Sequence, residues 1–368
     1  MKALLFSDFS FPPRGGTERH VMGVADYLTE HGWEVHIISP AGGGEKAGDC
    51  NAGRVRIHKF DFPLKGNFLV RSLLYFILGS RLVWKYGIDV VEGFYTMPAM
   101  IATAMVAKTT GRKYIATLFE WELFDWQRKS FWKWPIARWA FGSADVITTI
   151  GPSFQRKMKK EFPKKDVREI SNWVEGGFFE GSRPILKPSR ENKILFMGRL
   201  VGNKGIYVLL KALSRIKRDL KFKLILAGPP IEIDGVKQAS KKLGILERIE
   251  FRGFVPEKAL PKLYRECDIL AFPSILRGGM AFVVMEAMAC GKPVACSDDI
   301  GLREGVGRGG IIVRKGDDAE LARAIKKMLT DSRTYANCSR NALKQARTLY
   351  YREKVLGKYL KAYVDVTR

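Results

Sequence analysis

The chain is 368 residues long, 46% hydrophobic and 27% charged, with a formal net charge of +25. That length holds two domains, each large enough for its own core. The cationic excess excludes an acidic surface and favours polyanionic partners: nucleic acid, an anionic bilayer or phosphorylated substrates.

Five cysteines, at 50, 267, 290, 296 and 338, form no C-x-x-C pair, which fits free thiols in a reducing cytosol rather than disulfides or a zinc site. The opening MKALLFSDFS is too short for a signal peptide. The longest nearly uncharged apolar run, 94–107, falls short of a bilayer span, so no segment is expected to cross a membrane. No helix-turn-helix, zinc-finger or RNP-like pattern occurs, so no specific nucleic-acid partner is expected.

In chain order, residues 3–7 read as a first strand. The loop FSFPPRGGTERHV follows, with Gly15 and Gly16 before a helix over 18–30 that Thr17 is placed to cap. Glycines there let backbone N–H groups approach an anion at a helix N-terminus. His20 lies inside that helix and reads as structural. WEVHIIS (33–39) is a second strand, AGGGEKAGDCNAG a polar surface loop, and 55–60 alternates like a strand. FLVRSLLYFILGSRLVWKYG is an apolar helix that either packs on a sheet or rests one face in a headgroup layer. Strands follow at 89–91 and 114–118, the second ending in Phe119, Glu120, Glu122 and Asp125.

The segment FEWELFDWQRKSFWKWPIARWAFGS carries five of the eight tryptophans, at 121, 126, 132, 134 and 139, among Arg128, Lys129, Lys133 and Arg138. Two readings stand: the rings pack the N-terminal core, or they meet a bilayer interface while the cations meet anionic headgroups. A basic run, Arg156 to Lys165, comes soon after, around a helix that follows a strand at 146–150. GSRPILKPSREN, rich in Pro and polar residues, reads as a linker.

The second half opens with KILFMGRLVGNKGIYVLLKAL: a strand at 194–197, a turn at Gly198, and an amphipathic helix after Gly205. Arg199 and Lys204 share the intervening loop. Two cations there can reach one diphosphate and neutralise charge that builds as a bond to it breaks. A strand at 224–227 and GFVPEKALPKLYRECD lead to the stretch DILAFPSILRGGMAFVVMEAMACGKPVACS (268–297). It holds a buried strand (269–272), a turn at Gly278 and Gly279, and a helix over 282–290 with one acid, Glu286. Gly291 and Pro293 then stop that helix before another strand. The acid either faces the crevice at the carboxyl ends of the sheet, where open α/β sheets bind ligands, or is a satisfied buried group. From Asp317 onward the pattern is helical.

These motifs resemble those of family 4 glycosyltransferases: GG-x-E-[RK]-H-V in the first loop, GRL-x-x-x-KG at 198–205, GFVP before Leu260, and EAMACGKPV at the end of the main stretch. The resemblance spans nearly the whole chain. It implies a GT-B α/β architecture, two Rossmann-like domains with parallel sheets facing across a cleft. The N-terminal, acceptor-binding domain covers 1–177, a linker 178–190, the nucleotide-sugar domain 191–345, and a last helix, 346–368, returns to the first domain.

The activity implied is transfer of a sugar from a nucleotide-diphosphate donor to an acceptor, with retention and with neither metal nor cofactor. Arg199 and Lys204 would clamp the leaving diphosphate, as the catalytic pair. Donor contacts would come from Gly15, Gly16, Gly198, Phe254, Val255, Gly278, Gly279, Met280, Ala281, Phe282 and Glu286, with Glu286 on the ribose hydroxyls and the backbone around Phe254 on the base. Glu18, Glu120 and Glu122 are candidate sugar or acceptor contacts. Glu304, in GLRE, would steady its loop.

The chain departs from the family pattern where Gly278 replaces the first acid of E-x7-E, Ala281 replaces a glycine, and Phe119 stands in the place of a sugar-contacting histidine. Trp-rich and basic surfaces point to a lipid-linked or envelope acceptor and to a cytoplasmic enzyme at the inner membrane face. Two rival readings are a non-catalytic nucleotide binder and a nucleotide-sugar epimerase.

Overall fold

The computed structural model describes residues 1–11, 15–41, 46–61, 68–94, 97–119, 130–276 and 280–368. Two compact units emerge. One comprises Met1–Ser171 with Glu353–Arg368, the other Asn172–Arg352.

The first unit is built on β1 (Lys2–Phe6), β2 (Glu34–Pro40), β3 (Gly48–Ala52), β4 (Val55–Phe60), β5 (Val90–Phe94), β6 (Lys113–Leu118), β7 (Val146–Thr149) and β8 (Asp166–Glu169). They lie in the order β3-β4-β2-β1-β5-β6-β7-β8. Every pairing is parallel except that of edge strand β3 with β4. Parallel strands covered by helices on both faces must be apolar throughout; β5 is buried at all five positions, its one acid, Glu92, included.

The second unit carries β9 (Lys193–Met197), β10 (Lys223–Ala227), β11 (Ile249–Gly253), β12 (Ile269–Phe272), β13 (Val294–Ser297) and β14 (Gly310–Val313), all parallel, in the order β11-β10-β9-β12-β13-β14. This is the doubly wound order. Its direction reverses between β9 and β12, and in the first sheet between β1 and β5. Loops leaving those neighbouring strands diverge and open a crevice at their carboxyl ends.

Several expectations change. The helix expected from Glu18 begins at Gly16 with Gly15 as its N-cap, so Thr17 lies in the first turn and caps nothing. The polar loop at 41–53 contributes β3 instead: β4 would otherwise be an open edge, and His58 on β4 holds Asp49 on β3 at 2.8 Å. The stretch 178–190 lies inside the second unit, where the Ser189 amide and hydroxyl donate to Asp268 at 2.7 and 2.6 Å and the Ile185 amide donates to Ser339 Oγ. Of the Trp-rich segment, Trp132 and Trp139 are exposed and Trp134 half-buried, so these three do not form the core. Trp121 and Trp126 lie outside the described residues. Among the described residues, no helix is long and apolar enough to cross a membrane.

The last helix, Arg352–Thr367, belongs to the first unit and buries Val355, Leu356, Tyr359, Ala362, Tyr363 and Val366, an i, i+4, i+7 stripe. Tyr359 Oη meets His20 Nε2 at 2.8 Å, and Tyr363 donates to Glu92. In the second unit the incoming and outgoing chain run side by side: the Val174 amide donates to Tyr350 O at 2.7 Å, and Arg352 pairs with Glu175 at 3.3 Å.

Candidate active site

In the second unit, the loop after β9 and the loop after β12 leave neighbouring strands at the switch point. Gly198 turns the first loop with φ 145°, and Gly205 closes it with φ 80°, a left-handed conformation unfavourable for other residues. A Cβ on Gly205 would overlap the carbonyl oxygen of Pro273, so glycine there lets the two loops touch. The Ile275 amide donates to Asn203 O at 3.0 Å, tying them further. Arg199 is exposed on the first loop and Lys204 half-buried. Both cations thus sit on a loop held rigidly against its neighbour.

The helix Phe282–Ala289 starts from the second loop with Ala281 as N-cap, without a side-chain cap and with no acid in its first turn. Its leading N–H groups and dipole make that end receptive to an anion. Phe282 itself is a core residue, edge-on to Trp173 at 5.8 Å, so its backbone is what it offers a ligand. Met280 likewise packs down, against Gly305, and its carbonyl accepts from Asn172 Nδ2 at 3.0 Å. Glu286 lies one turn into the helix, only 1% exposed, and its Oε2 accepts a hydrogen bond from Tyr264 Oη at 2.8 Å. It is therefore both the motif acid and a satisfied buried group. At the end of β11, Phe254 is 76% exposed while Val255 packs against the core. An open ring at a strand's carboxyl end is a stacking surface.

Lys315 fixes the second loop from outside. Its Nζ donates to Leu276 O at 3.1 Å and pairs with Asp299 at 3.0 Å, and Asp299 caps the helix Ile300–Val306. Glu304, in that helix, has its carbonyl bonded by Gln345.

In the first unit, Gly15 is extended and Glu18 folds back over it, so that a Cβ on Gly15 would lie 2.7 Å from Glu18 Oε2. The helix end expected to meet phosphates thus carries an acid beside it. Gly278, Gly279, Glu120 and Glu122 lie outside the described residues.

The profile described as "Glycosyl transferases group 1" matches residues 179–345, and that described as "Glycosyltransferase Family 4" matches residues 14–175. The chain belongs to the family 4 glycosyltransferases. It is 27% identical over 348 residues to an uncharacterised glycosyltransferase of Methanocaldococcus jannaschii, covering 88% of each chain. It is 24% identical over 351 residues to the GDP-mannose-dependent alpha-(1-6)-phosphatidylinositol monomannoside mannosyltransferase of Mycolicibacterium smegmatis, covering 89% of each. Its fold is that of the sucrose-phosphate synthase of Thermosynechococcus elongatus, with a TM-score of 0.81, 18% identity, and coverage of 99% of this chain and 98% of that one.

The departures of this glycosyltransferase now have surroundings. Phe119 is buried, face to face with Phe94 at 5.6 Å and edge-on to His20 at 4.5 Å, so the position offers apolar surface and no hydrogen bond. Glu92, on β5, accepts from Thr117 and Tyr363. Burial pushes its carboxyl up to about 7 against those two bonds. The histidines of β2 and β4 form a chain of their own: Glu34 to His36 at 3.0 Å, His36 Nδ1 to His58 Nε2 at 2.9 Å, and His58 to Asp49. Burial pushes the pKa of both rings down, and the hydrogen bonds to Glu34 and Asp49 oppose that shift.

Sequence reasoning missed Tyr264, Lys315 and the contact of Asn172 with Met280. Tyr264 sits in the quoted LYRECD run, 22 residues before Glu286, and no local spacing joins the two.

Proposed function

We propose that this enzyme transfers a sugar from a nucleotide-diphosphate donor, and that Arg199 and Lys204 bind the diphosphate. The observation that supports this most is the contact of the β9 and β12 loops through Gly205, which holds the loop carrying both cations against the loop that leads towards the helix Phe282–Ala289. Glu286, positioned by Tyr264, would take the ribose hydroxyls, and the strand end at Phe254 the base. In the retaining course, the bond from the anomeric carbon to the diphosphate oxygen breaks while the acceptor oxygen bonds to the same face. The acceptor's proton passes to the leaving diphosphate. The two cations take up the growing negative charge, as a metal would elsewhere.

The acceptor is lipid-linked in this reading. Support comes from the net charge of +25 and from the mycolicibacterial relative, which is named for a phosphatidylinositol monomannoside. The enzyme would then work at the cytoplasmic face of a membrane.

Calorimetric titration with UDP, GDP and their sugar conjugates tests the donor assignment. One nucleotide should bind, and Arg199→Ala should lower its affinity roughly tenfold to a hundredfold, the worth of a charge-assisted phosphate bond. Equal binding by the variant would remove Arg199 from the clamp. A second reading, a nucleotide binder without transfer, is favoured by the apolar surroundings of Phe119; donor turnover would exclude it.

A further inference from the structure

The first unit carries a second basic site, at the opposite edge of its sheet from the Gly15–Gly16 turn. The helices Phe68–Tyr86, Met97–Thr110 and Lys133–Ser143 lie side by side on this unit. Each is followed within a few residues by β5, β6 or β7, so all three end where those strands begin. At that edge, Lys108, Arg112, Trp139 and Ser143 line a cavity of about 420 Å³. Lys108 Nζ lies 5.9 Å from the centre of the Trp139 ring, and Arg112 Nε is buried with no hydrogen-bond partner among the described residues. An unpaired buried guanidinium N–H is costly unless an acceptor arrives, and a planar donor fork suits a phosphate. The acids nearest in sequence are engaged elsewhere: Asp89 accepts from the Lys2 amide and Asp145 from the Tyr114 amide.

The same layer turns an apolar face outward. The helix Phe68–Tyr86 buries Ser72, Tyr75, Gly79, Leu82 and Val83. Leu69, Leu73, Ile77 and Trp84 are each at least half exposed. At 3.6 residues per turn these four fall within an arc of roughly 80° on the other side of the helix. Phe131, 91% exposed, and Trp132, tilted against Phe68 at 5.4 Å, extend the patch. A large apolar patch kept in water is unfavourable and marks a contact surface. Arg81 and Lys85, exposed on the same helix, are the cations of a surface that meets an anionic bilayer.

We propose that this helical layer lies in the interface of an anionic membrane and that the cavity of Lys108, Arg112 and Trp139 holds a lipid phosphate headgroup. The inference deepens the membrane part of the proposed function and is independent of donor chemistry. The full chain should sediment with vesicles of phosphatidylcholine and phosphatidylglycerol and not with phosphatidylcholine alone. Lys108→Glu should lower that partitioning about tenfold, as should Ile77→Ser with Trp84→Ser. Glycerol 3-phosphate should compete with the wild type. All three exchanged residues contact solvent, and a thermal melt followed by circular dichroism that matches the wild type shows that each variant is folded. Equal binding to both vesicle types, or variants that partition like the wild type, would overturn the proposal. So would inorganic phosphate that fills the cavity while the wild type ignores vesicles, which would make this a site for soluble phosphate. Vesicle binding without binding of either nucleotide would sink the donor assignment and leave this one standing.

Discussion

Tyr264 is the residue that holds Glu286 in place, because a buried acid needs hydrogen-bond partners and the tyrosine hydroxyl supplies one. Tyr264→Phe should cost about 1–3 kcal/mol of stability and loosen donor binding, whereas Tyr264→Ala would also open a cavity. Chemical denaturation with calorimetry on the same samples separates the two effects. Glu92 makes the first unit sensitive to pH. The folded chain holds its proton up to about pH 7, while an unfolded glutamate loses it near 4.3. The stability tied to that proton is complete below about pH 4 and is lost as pH rises through about 7, a change of order 3 kcal/mol. Urea melts at about pH 5 and about pH 8 should therefore favour Glu92→Gln over the wild type more strongly at the higher pH. A difference that does not move with pH would show that Glu92 is ionised throughout.

Elements hold the site through contacts that are tight but few. Gly205→Ala places a methyl group on the Pro273 carbonyl and a left-handed φ on an L residue, so the β9 and β12 loops must separate. The expected result is a folded enzyme whose nucleotide affinity falls at least tenfold, since the cations lose their rigid support; calorimetry and circular dichroism on one preparation would show it. The glycines at 198 and 205, the two cations and the acid helix were legible in the sequence, because glycine at a turn and an acid in an apolar helix are local signals. The N-terminus of the first helix was misread by two residues, since Thr17 looks like a cap and only the structure shows Gly15 in that place. Strand β3 was invisible: its residues are polar, and it forms because β4 has an unpaired edge and His58 has Asp49 to hold.

At the scale of the whole molecule, the last sixteen residues belong to the first unit, where Tyr359 and Tyr363 supply partners for His20 and Glu92. Truncation after Arg352 should therefore unfold or loosen the first unit while the second keeps its nucleotide affinity. Hydrogen exchange resolved by peptide would show protection lost in β1, β5 and β6 and kept in β9 and β12; uniform protection would refute it. By itself the sequence determined the family, the two α/β sheets and the glycine-bounded loop that carries Arg199 and Lys204. Those follow from apolar runs, glycine spacing and charge within single loops, signals carried by neighbouring residues. Only the tertiary structure decided which donor holds Glu286, where Phe119 and Glu92 are buried, and which face of the helix Phe68–Tyr86 meets water. Those outcomes depend on residues tens to hundreds of positions apart, which packing brings together and sequence spacing does not encode.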